Sequence, residues 1–290
     1  MLMIANKMLP LRNVLEALKA NLSYFAVALA LSGCMSGDFD SFIVGPEVAA
    51  EVRKTTQWAN YAGSGSRRAT NLEQITKGNI ADLEVAWTFR TGDLNSIFQS
   101  TPILVNGQLV LCTPHNQVIA LDPLTGAEFW RFDPDVAKVD YPNQANCRAV
   151  AQWHSSKETN ELAEPNLACK SRIFVATNDA RLIAIDGTTG QRCKDFGESG
   201  EVLLKKGVGE LWWPQEYQVT SPPSVIGDVV VVGSAIADNQ RVDAPSGVVR
   251  GFDTQSGELV WAFDLAPPSF DYSKGLVSDE GYALATPNVW

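Results

Sequence analysis

Gln99, Arg148 and Thr220 stand at comparable places in this chain, each at or just before the first β-rich run of a repeated unit. In a radial fold, equivalent positions of successive units form a ring about the axis. An amide, a guanidinium and a hydroxyl in such a ring suggest a polar ligand at the hub. The third unit also carries an insertion. Leu109 to Asp122 is 13 residues and Ile173 to Asp186 is 13, but Val229 to Asp253 is 24. The extra residues fall around Asp238-Asn239-Gln240-Arg241-Val242-Asp243. Loops on rigid scaffolds are where function concentrates, although an Asp-Asn pair is equally at home at the tip of a turn.

The elements that must position these residues recur along the chain. Ile119-Ala120-Leu121-Asp122 leads through Thr125-Gly126 to Trp130, and Ile183-Ala184-Ile185-Asp186 through Thr189-Gly190 to Phe196. Arg250-Gly251-Phe252-Asp253 leads through Ser256-Gly257 to Trp261, and the Asp residues lie 64 and 67 positions apart. A period of this length sets the architecture before any single motif is weighed. Reading backwards adds β-rich runs over 107–112, 171–176 and 227–232. First strands are legible at 101–105 and 221–226. A unit is therefore four short strands separated by Gly, Asn or Asp turns, the blade of a β-propeller. In each turn Asp can accept from local N–H groups and Gly can take positive φ. The aromatic residue that follows is expected to fill the gap between blades. Leu83-Glu84-Val85-Ala86-Trp87-Thr88-Phe89 reads as a fourth strand with no first three ahead of it. The expected fold is all-β, a β-propeller of about three to four blades out of roughly eight. The reading takes the chain as the N-terminal portion of a longer protein.

The 290 residues carry a formal net charge of −10, and the stretch before Cys34 is net positive, so the rest is strongly acidic. No basic stripe remains to neutralise phosphates, which argues against a nucleic-acid partner. Lys7, Arg12 and Lys19 precede the apolar run 24–31, which is too short to span a bilayer as a helix. That run ends in Leu31-Ser32-Gly33-Cys34, which resembles a bacterial lipobox; an ordinary signal peptide with an incidental Cys is the alternative. The organisation expected is a lipoprotein-type signal over 1–34, a tether over 35–56 and the propeller over 57–290. It implies a periplasmic protein with a lipid anchor to the membrane, the outer membrane being favoured. Cys112, Cys147, Cys169 and Cys193 allow two disulfides in an oxidising compartment, with three connectivities. Cys147 and Cys169 bracket a polar, turn-rich segment, which favours that pair. No Cys-x-x-Cys-His is present, so no c-type haem is expected.

From Trp58-Ala59-Asn60-Tyr61 onward the units resemble the repeat of pyrroloquinoline quinone (PQQ) dehydrogenases. The nearest resemblance is to the membrane-associated glucose and quinate dehydrogenase group. It is carried by residues 83–93, by Cys147-Arg148, by Thr220-Ser221-Pro222-Pro223, and by Gly233-Ser234-Ala235-Ile236-Ala237-Asp238-Asn239 leading to 246–253. The resemblance implies an oxidoreductase acting on an alcohol, sugar or polyol, with electrons passing to membrane quinone or cytochrome c. It implies that Gln99, Arg148 and Thr220 contact the quinone and that Trp290 stacks on its ring. It also implies that Asp238 and Asn239 hold Ca²⁺ or Mg²⁺, which prefer oxygen ligands. The cation would polarise the accepting carbonyl and a carboxylate would take the hydroxyl proton; no residue here is assigned as that base, which the family carries in later blades.

There are departures from the family. Gln144 stands where close relatives have a His, some relatives have a Glu in place of Gln99, and His154 is assigned no role. A rival reading is a non-enzymatic, lipid-anchored propeller scaffold of outer-membrane assembly. The Arg148, Thr220 and Asp238-Asn239 set would have no purpose in such a scaffold.

Overall fold

In the computed structural model, the described residues are 2–6, 58–61, 63, 72–93, 96–155, 168–237, 240–241 and 244–263. Cys34, the apolar run before it, the tether, Asp238, Asn239 and Trp290 lie outside them. Among the described residues no helix is long and apolar enough to cross a membrane.

Three four-stranded antiparallel sheets follow one another along the chain. The first holds β3 (Ile103–Val105), β4 (Gln108–Cys112), β5 (Val118–Leu121) and β6 (Glu128–Phe132), in that order. The second holds β7 (Ala151–His154), β8 (Ser171–Ala176), β9 (Arg181–Asp186) and β10 (Glu201–Leu203). The third holds β12 (Ser224–Ile226), β13 (Val229–Val232), β15 (Val249–Asp253) and β16 (Leu259–Phe263). A small ribbon pairs β11 (Tyr217–Gln218) with β14 (Ala235–Ile236). Ahead of the blades, β2 (Leu83–Thr88) pairs with β1 (Leu2–Asn6).

In the first two blades the middle strands run apolar without alternation because both faces of the sheet are covered. Every residue of β5 and of β8 is buried. One core joins the first two blades through Ile103, Val110, Val118, Ile173, Val175 and Ile183. A second joins the next two through Phe174, Leu182, Ala184, Val230, Val232 and Phe252. On the other side of the first blade, Trp87 and Phe89 pack on Leu109, Leu111, Ile119 and Leu121. That is where the fourth strand of a preceding blade would lie.

The repeated turn behaves as its residues require. Asp122, Asp186 and Asp253 each accept, on Oδ1, the N–H two residues on, at 2.8, 3.0 and 3.0 Å. Gly126 and Gly190 close their turns at φ +72° and +73°. Both also leave room for a tryptophan. A Cβ on Gly126 would come within 2.5 Å of the Trp87 ring, and one on Gly190 within 2.6 Å of the Trp130 ring. The outer strand of one blade thus seats its indole on the turn glycine of the next. Of the three aromatics expected between blades, Trp130 is seated there and Phe196 is buried in the core shared by the second and third blades, whereas Trp261 is exposed among the described residues.

Two expectations need correcting. Phe196 does not lie on a fourth strand: it is fully buried in the connection after β9, and the outer strand is Glu201–Leu203. The positive-φ turn residues Gly197, Ser199 and Gly200 reverse the chain first. The disulfides are Cys112–Cys147 and Cys169–Cys193, not Cys147–Cys169. Cys147 precedes the Ala151 end of β7, whereas Cys169 precedes Ser171, which pairs with His154 at the other end. A four-residue strand spans roughly 13 Å, and a disulfide needs Cα atoms about 4.4–6.8 Å apart.

Candidate active site

The first strand of each blade begins at the same end of the molecule. Gln99, Arg148 and Thr220 precede β3, β7 and β12, as the repeat predicts. The second-to-third-strand connections emerge at that end too. In the first two blades they are tight turns, with Thr113 N–H donating to the Gln117 carbonyl at 2.8 Å and Thr177 N–H to the Arg181 carbonyl at 2.9 Å. In the third blade the corresponding connection is the insertion, running from Gly233 to β15 and containing β14.

Arg148 and Thr220 meet directly: Nη1 donates to Thr220 Oγ1 at 2.7 Å. The Arg148 backbone is held by Thr101 N–H, which donates to its carbonyl at 2.7 Å. Adjacent Cys147 is bonded to Cys112 at the end of β4, so the arginine hangs from a covalent join between blades. A cleft of about 510 Å³ opens beside the pair. One wall is the turn Pro142-Asn143-Gln144; the other is Thr220, Ser221, Ser234 and Ala235. No described carboxylate pairs with Arg148. Ser234, only 8% exposed, has an Oγ with no partner among the described residues. Among the described residues, a guanidinium without a carboxylate and a hydroxyl without a partner on one cleft suit a ligand that brings acceptors, since buried polar groups are costly unpaired.

Gln99 lies beside the cleft but outside its lining. Its Oε1 accepts from Asn146 Nδ2 at 2.5 Å. Asn146 N–H donates to Asn178 Oδ1 at 3.2 Å, and Asn178 N–H to Asn116 Oδ1 at 2.9 Å. This buried amide relay ties Gln99 to the connecting turns of two blades. Gln144 lines the cleft with φ +63°. The two histidines both lie away from it. His154 is exposed at the far end of β7, its Nδ1 2.9 Å from the Ser155 carbonyl oxygen. His115 Nδ1 lies 2.6 Å from Asp93 Oδ1, and its N–H donates to Oδ2 at 2.9 Å. Burial works against the Asp93 charge, but hydrogen bonds from Thr113 and His115 outweigh it and hold the carboxyl below the usual range.

The insertion is anchored at its described flanks by one residue. Glu216 is fully buried; its carbonyl accepts from Ala237 N–H at 2.9 Å. Its carboxylate accepts from Arg241 Nε at 2.6 Å and Nη2 at 3.0 Å. Arg241 also stacks 4.4 Å from the Trp212 ring. Asp238 and Asn239 lie between these anchors in sequence.

Sequence reasoning assigned no role to Ser234, Glu216 or Asn146. Ser234 stood inside the phrase 233–239, and its position two residues after β13 was its one local signal. The other two matter only through partners distant in sequence.

Successive four-stranded antiparallel blades, with a cleft at the end where their first strands begin, define a β-propeller. The comparisons make the class specific. The chain belongs to the PQQ family described as the glucose/ethanol/alcohol dehydrogenase β-propeller domain, whose model matches residues 58–290. It is 35% identical to quinate/shikimate dehydrogenase (quinone) of Acinetobacter baylyi, over 92% of this chain and 36% of that protein. It is 36% identical to quinoprotein glucose dehydrogenase A of Acinetobacter calcoaceticus, over 84% of this chain and 32% of that protein. Among solved structures it is similar to a quinohemoprotein alcohol dehydrogenase from Pseudomonas putida, with TM-score 0.58 and 25% identity over 83% of this chain and 31% of that one. The chain spans about a third of the length of the curated relatives it matches.

Proposed function

We propose that the protein carrying this chain is a PQQ-dependent dehydrogenase that oxidises an alcohol, sugar or polyol hydroxyl and passes the electrons to a quinone. The observation that carries the reading is the guanidinium of Arg148, which lines a cleft with Thr220 bonded to it and has no carboxylate partner among the described residues, while Ser234 on the same cleft has a hydroxyl with no described partner. A planar tricarboxylate fits this donor set, because each carboxylate accepts what Arg148 and Ser234 have to donate. The group would supply the electron acceptor for hydroxyl oxidation. Arg148, Thr220 and Ser234 would hold and orient it, with Gln99 at the border and Trp290 as the stacking face. Asp238 and Asn239 offer a carboxylate and an amide oxygen suited to Ca²⁺ or Mg²⁺. The sequence before Cys34 supports export and a lipid anchor, hence a periplasmic, membrane-attached protein. Cytochrome c is the alternative acceptor to membrane quinone. The scaffold reading is disfavoured, since it leaves the Arg148 cleft without a purpose.

Titration of the apoprotein with PQQ tests this, followed through tryptophan fluorescence, alongside dye-linked oxidation of alcohols and sugars with Ca²⁺ or Mg²⁺ present. Arg148→Met should weaken quinone binding about 10- to 100-fold, the range for hydrogen bonds to a charged group. Unchanged binding would refute the site.

A further inference from the structure

Behind the cleft sits a fully buried glutamine. Gln218 belongs to β11, two residues ahead of Thr220. Both ends of its amide engage a single backbone turn. Oε1 accepts from Asn143 N–H at 2.9 Å, and Nε2 donates to the Gln144 carbonyl at 3.2 Å. Asn143 Nδ2 in turn donates to the Ile236 carbonyl on β14 at 3.3 Å. β14 is paired with β11 through Tyr217↔Ile236 and Gln218↔Ala235. Three bonds therefore join the turn that forms one cleft wall to the ribbon that leads into the other.

We infer that Gln218 is a positioning residue that sets the separation of the Gln144 wall from the Thr220–Ser234 wall, and thereby the fit of a flat polyanionic ligand. The inference rests on the quinone-binding reading above. The two walls belong to different blades, and the chain between them runs through all of blade two. Non-covalent stitches must fix their spacing. The Arg148–Thr220 bond is exposed to whatever occupies the cleft, whereas the Gln218 bonds lie outside it and persist when the ligand engages those donors. The side chain must donate and accept together while neutral, which an amide does and neither a carboxylate nor a hydrocarbon can do. Gln144, at φ +63° beside this stitch, lines the same cleft.

The test measures the Kd of the intact apoprotein for PQQ, by fluorescence and well below the unfolding temperature, in three variants. Gln218→Met keeps length and burial but removes both bonds; Kd should rise about tenfold, the equivalent of one or two ordinary hydrogen bonds. Asn143→Ala, on the half-buried turn, removes only the bond to Ile236 and should fold readily; Kd should rise roughly threefold. Arg148→Met is the control for the underlying reading. If it leaves Kd unchanged, the quinone site itself fails, and this inference with it. If it weakens binding while the other variants bind within twofold of the parent, the positioning role alone is overturned. Should Gln218→Met not fold, the Asn143→Ala value decides. A variant that melts earlier yet binds the quinone with parental affinity marks Gln218 as structural only.

Discussion

Asp186 makes the clearest residue-scale argument, because one carboxylate organises a whole corner. It accepts from the Cys169, Thr188 and Thr189 N–H groups at 2.5, 3.0 and 2.8 Å, and from the Thr189 hydroxyl at 2.9 Å. Burial alone would raise its pKa, but these donors prevail and hold it below the ordinary carboxylate value. The unfolded chain titrates near 3.9, so the stabilisation is complete above that pH and disappears as pH falls through the folded value. Asp186→Asn should therefore cost roughly 2 kcal/mol at neutral pH in urea melts. The difference from the parent should shrink below about pH 4 as Asp186 protonates. A difference independent of pH would show that its charge is immaterial.

Among the elements, the connection into the third blade carries the most stored organisation. Its Glu216–Arg241 pair is almost completely dry, with side chains 0% and 5% exposed. Breaking such a pair leaves a bare charge inside the protein, so Arg241→Met should destabilise by about 3–5 kcal/mol. Replacing both partners, as Glu216→Gln with Arg241→Met, should recover part of that loss, and chemical denaturation of the three variants checks it. The blades themselves were legible in the sequence because a period of Asp, Gly and an aromatic residue states the turn and the packing together. Gln99, Arg148 and Thr220 were legible as equivalents for the same reason. Phe196 was misplaced since two closely spaced glycines and a disulfide divert the chain locally. Gln218 and Ser234 carried no signal of their own: one looks like any strand glutamine, the other like any loop serine. Only the third dimension supplies the partners of the first and, among the described residues, the lack of them in the second.

At the scale of the whole molecule, the two disulfides do different jobs. Cys169–Cys193 links the approach to β8 with the segment after β9, inside one blade. Cys112–Cys147 joins two blades across 35 residues, next to Arg148. Removing either by a paired Cys→Ser exchange should cost about 2–4 kcal/mol. Only the loss of Cys112–Cys147 should also weaken PQQ binding, because only that bridge sets where Arg148 stands. Equal effects on affinity from both exchanges would contradict this division of labour.

The seating of Trp87 on Gly126 and of Trp130 on Gly190 gives the stack a direction. The first sheet offers a knob, Trp130, on one side and a socket, Gly126, on the other, so it cannot complete this contact with its own mirror face. Such head-to-tail joints leave one socket and one knob unused however many sheets are added. They are all satisfied only when the last sheet reaches round to the first. The hand of the stacking is thus set, at these two joints, by a contact between one indole and one missing side chain.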